Sequence, residues 1–134
     1  MANLATIEGI GPAYAKKMAA CGIKTTGGLL KDCGTKAGRK AAAKESGLSE
    51  KLILGWVNRA DLMRVKGVGE EYSDLLELAG VDTVKELAQR NAENLHAKME
   101  EVNAKKKAVR RTPAPSMVTD WVKQAKTMKP GVSY

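Results

Sequence analysis

Ile7-Glu8-Gly9-Ile10-Gly11 recurs 58 residues later as Val65-Lys66-Gly67-Val68-Gly69. The register holds beyond the glycines: Tyr14 matches Tyr72, Met18 matches Leu76, Gly22-Ile23 matches Gly80-Val81, Thr25 matches Thr83, and Leu29 matches Leu87. Further on the offset becomes 65, pairing Trp56-Val57 with Trp121-Val122, Ala60 with Ala125 and Met63 with Met128. A repeated unit of this length, carrying its glycines and its tryptophan at matched places, is read as a duplicated fold. The two copies are 1–64 and 65–129, followed by a short tail, 130–134. The extra seven residues of the second copy fall in its basic, proline-containing stretch, Lys105–Pro115.

Each copy reads as short helices joined by tight turns. Pro12 suits the first helical position after Gly11, where its missing N–H has no partner to lose. Tyr14, Met18 and Cys21 then follow at helical spacing, and Gly22 stops the helix in the left-handed conformation. Tyr72, Leu75, Leu76 and Ala79, stopped by Gly80, repeat the arrangement. Thr83 with Glu86 has capping-box spacing. Asn91 opens a helix with Leu95, Met99 and Val102 on one face. Ser49 is placed to cap a helix burying Leu52, Ile53, Trp56, Val57 and Ala60, and Ser116 one burying Val118, Trp121, Val122 and Ala125. Thr112-Pro113-Ala114-Pro115 reads as a stiff connector and Pro130–Tyr134 as a frayed tail. No segment reads as a strand.

Composition agrees. Hydrophobic residues make up 43% of the 134 positions, aromatics only 4%, and Phe is absent, so aliphatic side chains must fill the interior. The two tryptophans are expected as core anchors, with Tyr14 and Tyr72 packed between helices. No run is long and apolar enough to span a membrane. Met1-Ala2-Asn3-Leu4-Ala5-Thr6 has no basic start and no apolar run of a secretory signal, so a cytoplasmic protein is expected. Cys21 and Cys33 are read as free thiols in a reducing compartment. Two cysteines and one histidine do not furnish a four-ligand zinc site, and no paired carboxylate spacing suggests another metal. His96 reads as a surface residue. No catalytic residue, metal or cofactor is therefore expected.

Charge is uneven. Lys and Arg number 23 against 15 Asp and Glu, a net +8. Residues 1–64 hold 11 basic and 5 acidic residues, 65–104 hold 4 and 9, and 105–134 hold 8 and 1. Basic blocks of this size point to a polyanion, and the acidic block between them to a separate task. The Gly-x-Gly turns supply the chemistry. Glycines let a backbone approach a phosphate, while Ile10 or Val68 anchors the turn. The amides of Gly11 and of Ala13 in the next helix's first turn face outward, where the helix dipole favours an anion.

At these residues the chain resembles the helix-hairpin-helix modules of DNA repair and recombination proteins. Gly9-Ile10-Gly11-Pro12-Ala13-Tyr14-Ala15 meets that pattern fully, and Gly67-Val68-Gly69-Glu70-Glu71-Tyr72-Ser73 meets it with Ser in place of Ala. Nearly the whole chain is similar to a family of small, largely uncharacterised prokaryotic proteins built from two such hairpins, notably at Trp56–Met63 running into Val65–Tyr72 and at Val81–Leu87. The resemblance implies an all-α fold, tandem helix-hairpin-helix repeats packed as one compact helical domain. It also implies sequence-independent binding of duplex DNA, and the residues, which offer no catalytic constellation, lead to the expectation that this binding is non-catalytic.

The copies differ after their turns. Lys16 and Lys17 follow the first, whereas Glu70, Glu71, Asp74 and Glu77 follow the second. The first turn is thus expected to contact phosphate, and the second to be structural or to face a protein. Lys36, Lys40 and Lys44 form an i, i+4, i+8 row with Arg39 beside it, and Lys105, Lys106, Lys107, Arg110 and Arg111 form a dense run. The expected DNA contacts are these cations with Gly9, Ile10, Gly11, Ala13, Lys16, Lys17, Gly67 and Gly69, and a nucleoid association would follow. The alternatives are a scaffold whose acidic second repeat docks on a basic protein partner, self-association, and structured RNA, which offers the same phosphates.

Overall fold

Helix starts and stops are written into both copies by matching residues. The computed structural model describes Asn3, Leu4, Ile7 and residues 10–133. Among these the order is α1 (Pro12–Ala20), α2 (Thr26–Cys33), α3 (Lys36–Ser46), α4 (Glu50–Leu62), α5 (Glu70–Leu78), α6 (Val84–Ala88), α7 (Ala92–Lys106) and α8 (Pro115–Thr127). The fold is all-α. Among the described residues the one extended pairing is an isolated antiparallel bridge, Asn3 with Thr25. The chain forms two compact units, residues 1–61 with 131–134, and residues 62–130.

In the first unit, Ile7 N–H donates to Leu4 O, Ile10 N–H to Ile7 O, and Ala15 N–H to Gly11 O. The second unit repeats this 58 residues on, as Val65 to Leu62, Val68 to Val65, and Ser73 to Gly69. α1 ends with Gly22 at φ 82°, its N–H donating to Ala19 O while Ile23 N–H donates to Met18 O. α5 ends in the same way on Gly80 at φ 93°, with Glu77 and Leu76 as acceptors. These are paired Schellman closures, which need the left-handed conformation that glycine adopts without strain. Thr25 Oγ1 then accepts from Gly28 N–H, and Thr83 Oγ1 from Glu86 N–H, opening α2 and α6. The Glu86 carboxylate reaches back to Asp82 N–H, one residue beyond the expected capping-box partner, Thr83 N–H.

Ile7, Met18, Leu29, Ile53, Trp56 and Val57 are buried in the first unit. In the second, Leu75, Leu76, Leu87, Met99, Val118 and Trp121 form a continuous core. The tryptophans are anchors: Tyr14 lies against Trp56 at a centroid distance of 5.3 Å, and Tyr72 against Trp121 at 5.2 Å.

Two expectations are corrected. Ser116 does not cap α8; Ala114 is the N-cap, and Pro115, pre-set for a first helical position, begins the helix two residues earlier than a Ser116 cap would. The tail is held rather than frayed, since Ser133 N–H donates to Gly34 O at 2.8 Å. Its anchorage is a corner between α2 and α3 where backbones lie very close. A Cβ on Gly34 would stand 2.7 Å from Gly131 O, and one on Gly38 would collide with Asp32 O.

Candidate nucleic-acid interface

The turn into α1 is open and undefended. Gly11 is its N-cap in an extended conformation, without a side-chain cap, and Pro12 leads the helix. Gly11, Ala13, Lys16 and Lys17 are exposed, and no acidic residue occupies the first turn. A Cβ on Gly11 would meet nothing within 4 Å, so no packing among the described residues demands glycine there. Ile10 is buried and cannot touch a phosphate; it anchors the turn from beneath. Gly9 lies outside the described residues.

Three of the four cations expected on α3 share its surface. Lys36, Lys40 and Lys44 are exposed, and none pairs with a carboxylate among the described residues. Arg39 is corrected. Only 4% of it is exposed, and its guanidinium donates to the carbonyls of Cys33, Gly34 and Ser133. A cation whose donors are spent on carbonyls inside the unit is not available to a phosphate. Lys36 and Arg39 also line a cavity of about 270 Å³ with Glu50, Lys51 and Leu54.

A family profile described as a domain of unknown function, DUF4332, matches residues 8–128. The chain belongs to this family. No curated protein and no solved structure matches it. The matched DUF4332 span takes in both turns, both Tyr–Trp pairs and the whole basic run, and ends before the tail that Arg39 holds.

The second turn of this DUF4332 domain is built differently. Gly69 caps α5 with open space around it, but Glu70 and Glu71 fill the first turn. Gly67 is exposed, yet it is needed by the fold: φ is 98°, and a Cβ would press on Trp121 Nε1 at 2.9 Å. The basic run lies close by. Glu71 lines a cavity of about 550 Å³ with Lys107, Arg110, Asn103, Ala108 and Val109. Lys107 closes α7 at φ 50°, the one left-handed non-glycine among the described residues. Asn103 pins the loop beyond it, donating from Nδ2 to Val109 O and accepting from Val109 N–H. Composition alone did not single out Asn103, because an amide in a helix's last turn looks like any solvated side chain.

Lys105, Lys106, Arg110 and Arg111 are exposed, with Lys105 3.7 Å from Glu101. Such an exposed pair holds its lysine weakly. His96 is half-buried rather than on the surface. Its Nε2 lies 3.0 Å from Pro113 O, a carbonyl that only accepts, so this nitrogen carries the proton. Among the described residues no group of three or more His, Cys, Asp or Glu could hold a metal ion. No helix there is long and apolar enough to cross a membrane.

Proposed function

We propose that this protein binds duplex DNA without sequence preference, through backbone phosphates and without catalysis, using its two turns as a tandem helix-hairpin-helix pair of unequal strength. The observation that carries the reading is the start of α1. An exposed, uncapped helix N-terminus opens on a glycine that no packing among the described residues requires, with Lys16 and Lys17 exposed on the same helix. Phosphate is the ligand such a terminus favours, and phosphate contacts position a protein without reading bases. The lysine row of α3 adds charge in the same unit, and Lys106, Lys107 and Arg110 add it in the other. Glu71 weakens the second turn as a phosphate seat. Its nearness to Lys107 and Arg110 favours charge compensation within the unit over docking on a basic partner. A cytoplasmic, nucleoid-associated location follows from the DNA reading.

The test is titration of a fluorescent random-sequence duplex at several salt concentrations, with single strand and duplex RNA alongside. Affinity is expected to fall steeply with salt. Lys16→Glu with Lys17→Glu should lower the slope of log affinity against log salt by about 2, at roughly 0.9 for each phosphate no longer neutralised. Glu71→Gln should leave binding equal or slightly tighter. No binding at low salt would make both turns scaffold, and equal binding of duplex RNA would widen the partner to any double-stranded backbone.

A further inference from the structure

The aromatic pairs are matched in geometry and mismatched in what their hydroxyls meet. Tyr14 and Tyr72 are each the third residue of their helix, and their rings meet Trp56 and Trp121 at 53° and 52°. Both phenols are therefore carried to equivalent places. Tyr72 Oη donates to Arg111 O at 3.3 Å, in the basic stretch where the second copy has seven residues more than the first. The first copy has no such segment. Tyr14 Oη has no acceptor among the described residues, and the residue is 38% exposed where Tyr72 is half-buried.

We propose that Tyr14 Oη is a phosphate ligand, taking from a nucleic-acid backbone oxygen what Tyr72 takes from the carbonyl of Arg111. The inference rests on the duplex-binding reading and adds to it a residue that charge alone does not reveal. Three features support the role. The ring is already held by Trp56, so little side-chain freedom remains to be lost on binding. Tyr14 is the third residue of α1, within its uncapped first turn. Its surroundings are cationic, with Lys16 and Lys17 following and no acid in the turn, which favours a charged oxygen over a neutral peptide carbonyl. The repeats thus differ in cover as well as in charge: the second is closed by its own chain at the point where the first is open.

Tyr14→Phe removes the donor and keeps the ring. Its thermal midpoint should match the unsubstituted protein, its duplex affinity should fall about tenfold, and its salt slope should stay unchanged because no charge is removed. Tyr72→Phe should bind within about twofold of the unsubstituted protein, with faster amide exchange around Arg111. A second measurement does not depend on affinity: with 3-fluorotyrosine incorporated, adding duplex should move the ¹⁹F resonance of Tyr14 and leave that of Tyr72 in place. If the unsubstituted protein binds duplex while Tyr14→Phe binds equally well, or if the Tyr14 resonance does not move, the Tyr14 assignment is overturned and the duplex reading stands. Equal losses in the two variants would overturn the distinction between repeats on which the assignment rests. Failure of the unsubstituted protein to bind duplex would remove both readings together.

Discussion

Arg39 Nη2 donates to the carbonyl oxygen of Ser133 at 2.5 Å, joining residues 94 positions apart. Nη1 of the same guanidinium donates to Cys33 O at 3.1 Å and Gly34 O at 3.0 Å, the last carbonyls of α2. One side chain therefore caps a helix C-terminus, where a cation suits the dipole, and fastens the tail over it. This explains why an arginine set among surface lysines is itself buried.

Arg39→Ala should destabilise the first unit by about 2–4 kcal/mol, since two buried carbonyls and a partly buried one lose a charged donor. Arg39→Lys should recover only part of this, because an ammonium lacks the planar fork that spans separate acceptors. Deleting residues 131–134 should cost less than Arg39→Ala, leaving the α2 cap in place. Urea unfolding checks all three. Unchanged stability of Arg39→Ala together with weakened duplex binding would return Arg39 to the binding surface.

Gly38 and Gly55 are both helical glycines with opposite requirements. A Cβ on Gly38 would collide with Asp32 O, and one on Gly55 would meet nothing within 4 Å. Gly38→Ala is expected to destabilise by about 1–3 kcal/mol through forced separation of α2 and α3. Gly55→Ala is expected to stabilise by about 0.5–1 kcal/mol through helix propensity alone. Denaturant midpoints of the two variants should therefore move in opposite directions.

What the sequence reveals and conceals follows the range of the interactions. The repeat was legible because its markers are local: Gly22 and Gly80 close helices by bonds three residues back, the residues after them, Ile23 and Val81, by bonds five back, and Thr25 and Thr83 cap helices three residues on. The exposed lysines of α3 were legible from their spacing. Arg39 was not, because its neighbours in sequence are those lysines while one of its acceptors is a backbone carbonyl in the tail, and carbonyls leave no mark in composition. Gly67 looked interchangeable with a ligand-contacting glycine until Trp121 was seen against it. Ser116 was a sound capping residue outcompeted by Pro115, whose fixed φ starts α8 sooner.

Cys33 links this corner to pH. Burial, reinforced by Asp32, pushes its thiol up to about 11 from 9.0. Below pH 9 both folded and unfolded chains keep the proton, so the thiol adds no pH dependence. Between about pH 9 and 11 the folded chain keeps a proton that the unfolded chain has released, so unfolding is favoured as pH rises. The urea midpoint should fall across that window more steeply than in Cys33→Ala, and the difference between the two curves isolates this thiol from the lysines that titrate nearby. Thiol labelling at neutral pH offers a parallel check. Cys21, half-buried and bonded to Lys17 O, should react in the folded protein, whereas Cys33 should react at the rate of unfolding. Equal labelling rates for the two thiols would mean that the α2–α3 corner opens far more often than its packing around Gly34, Gly38 and Arg39 implies.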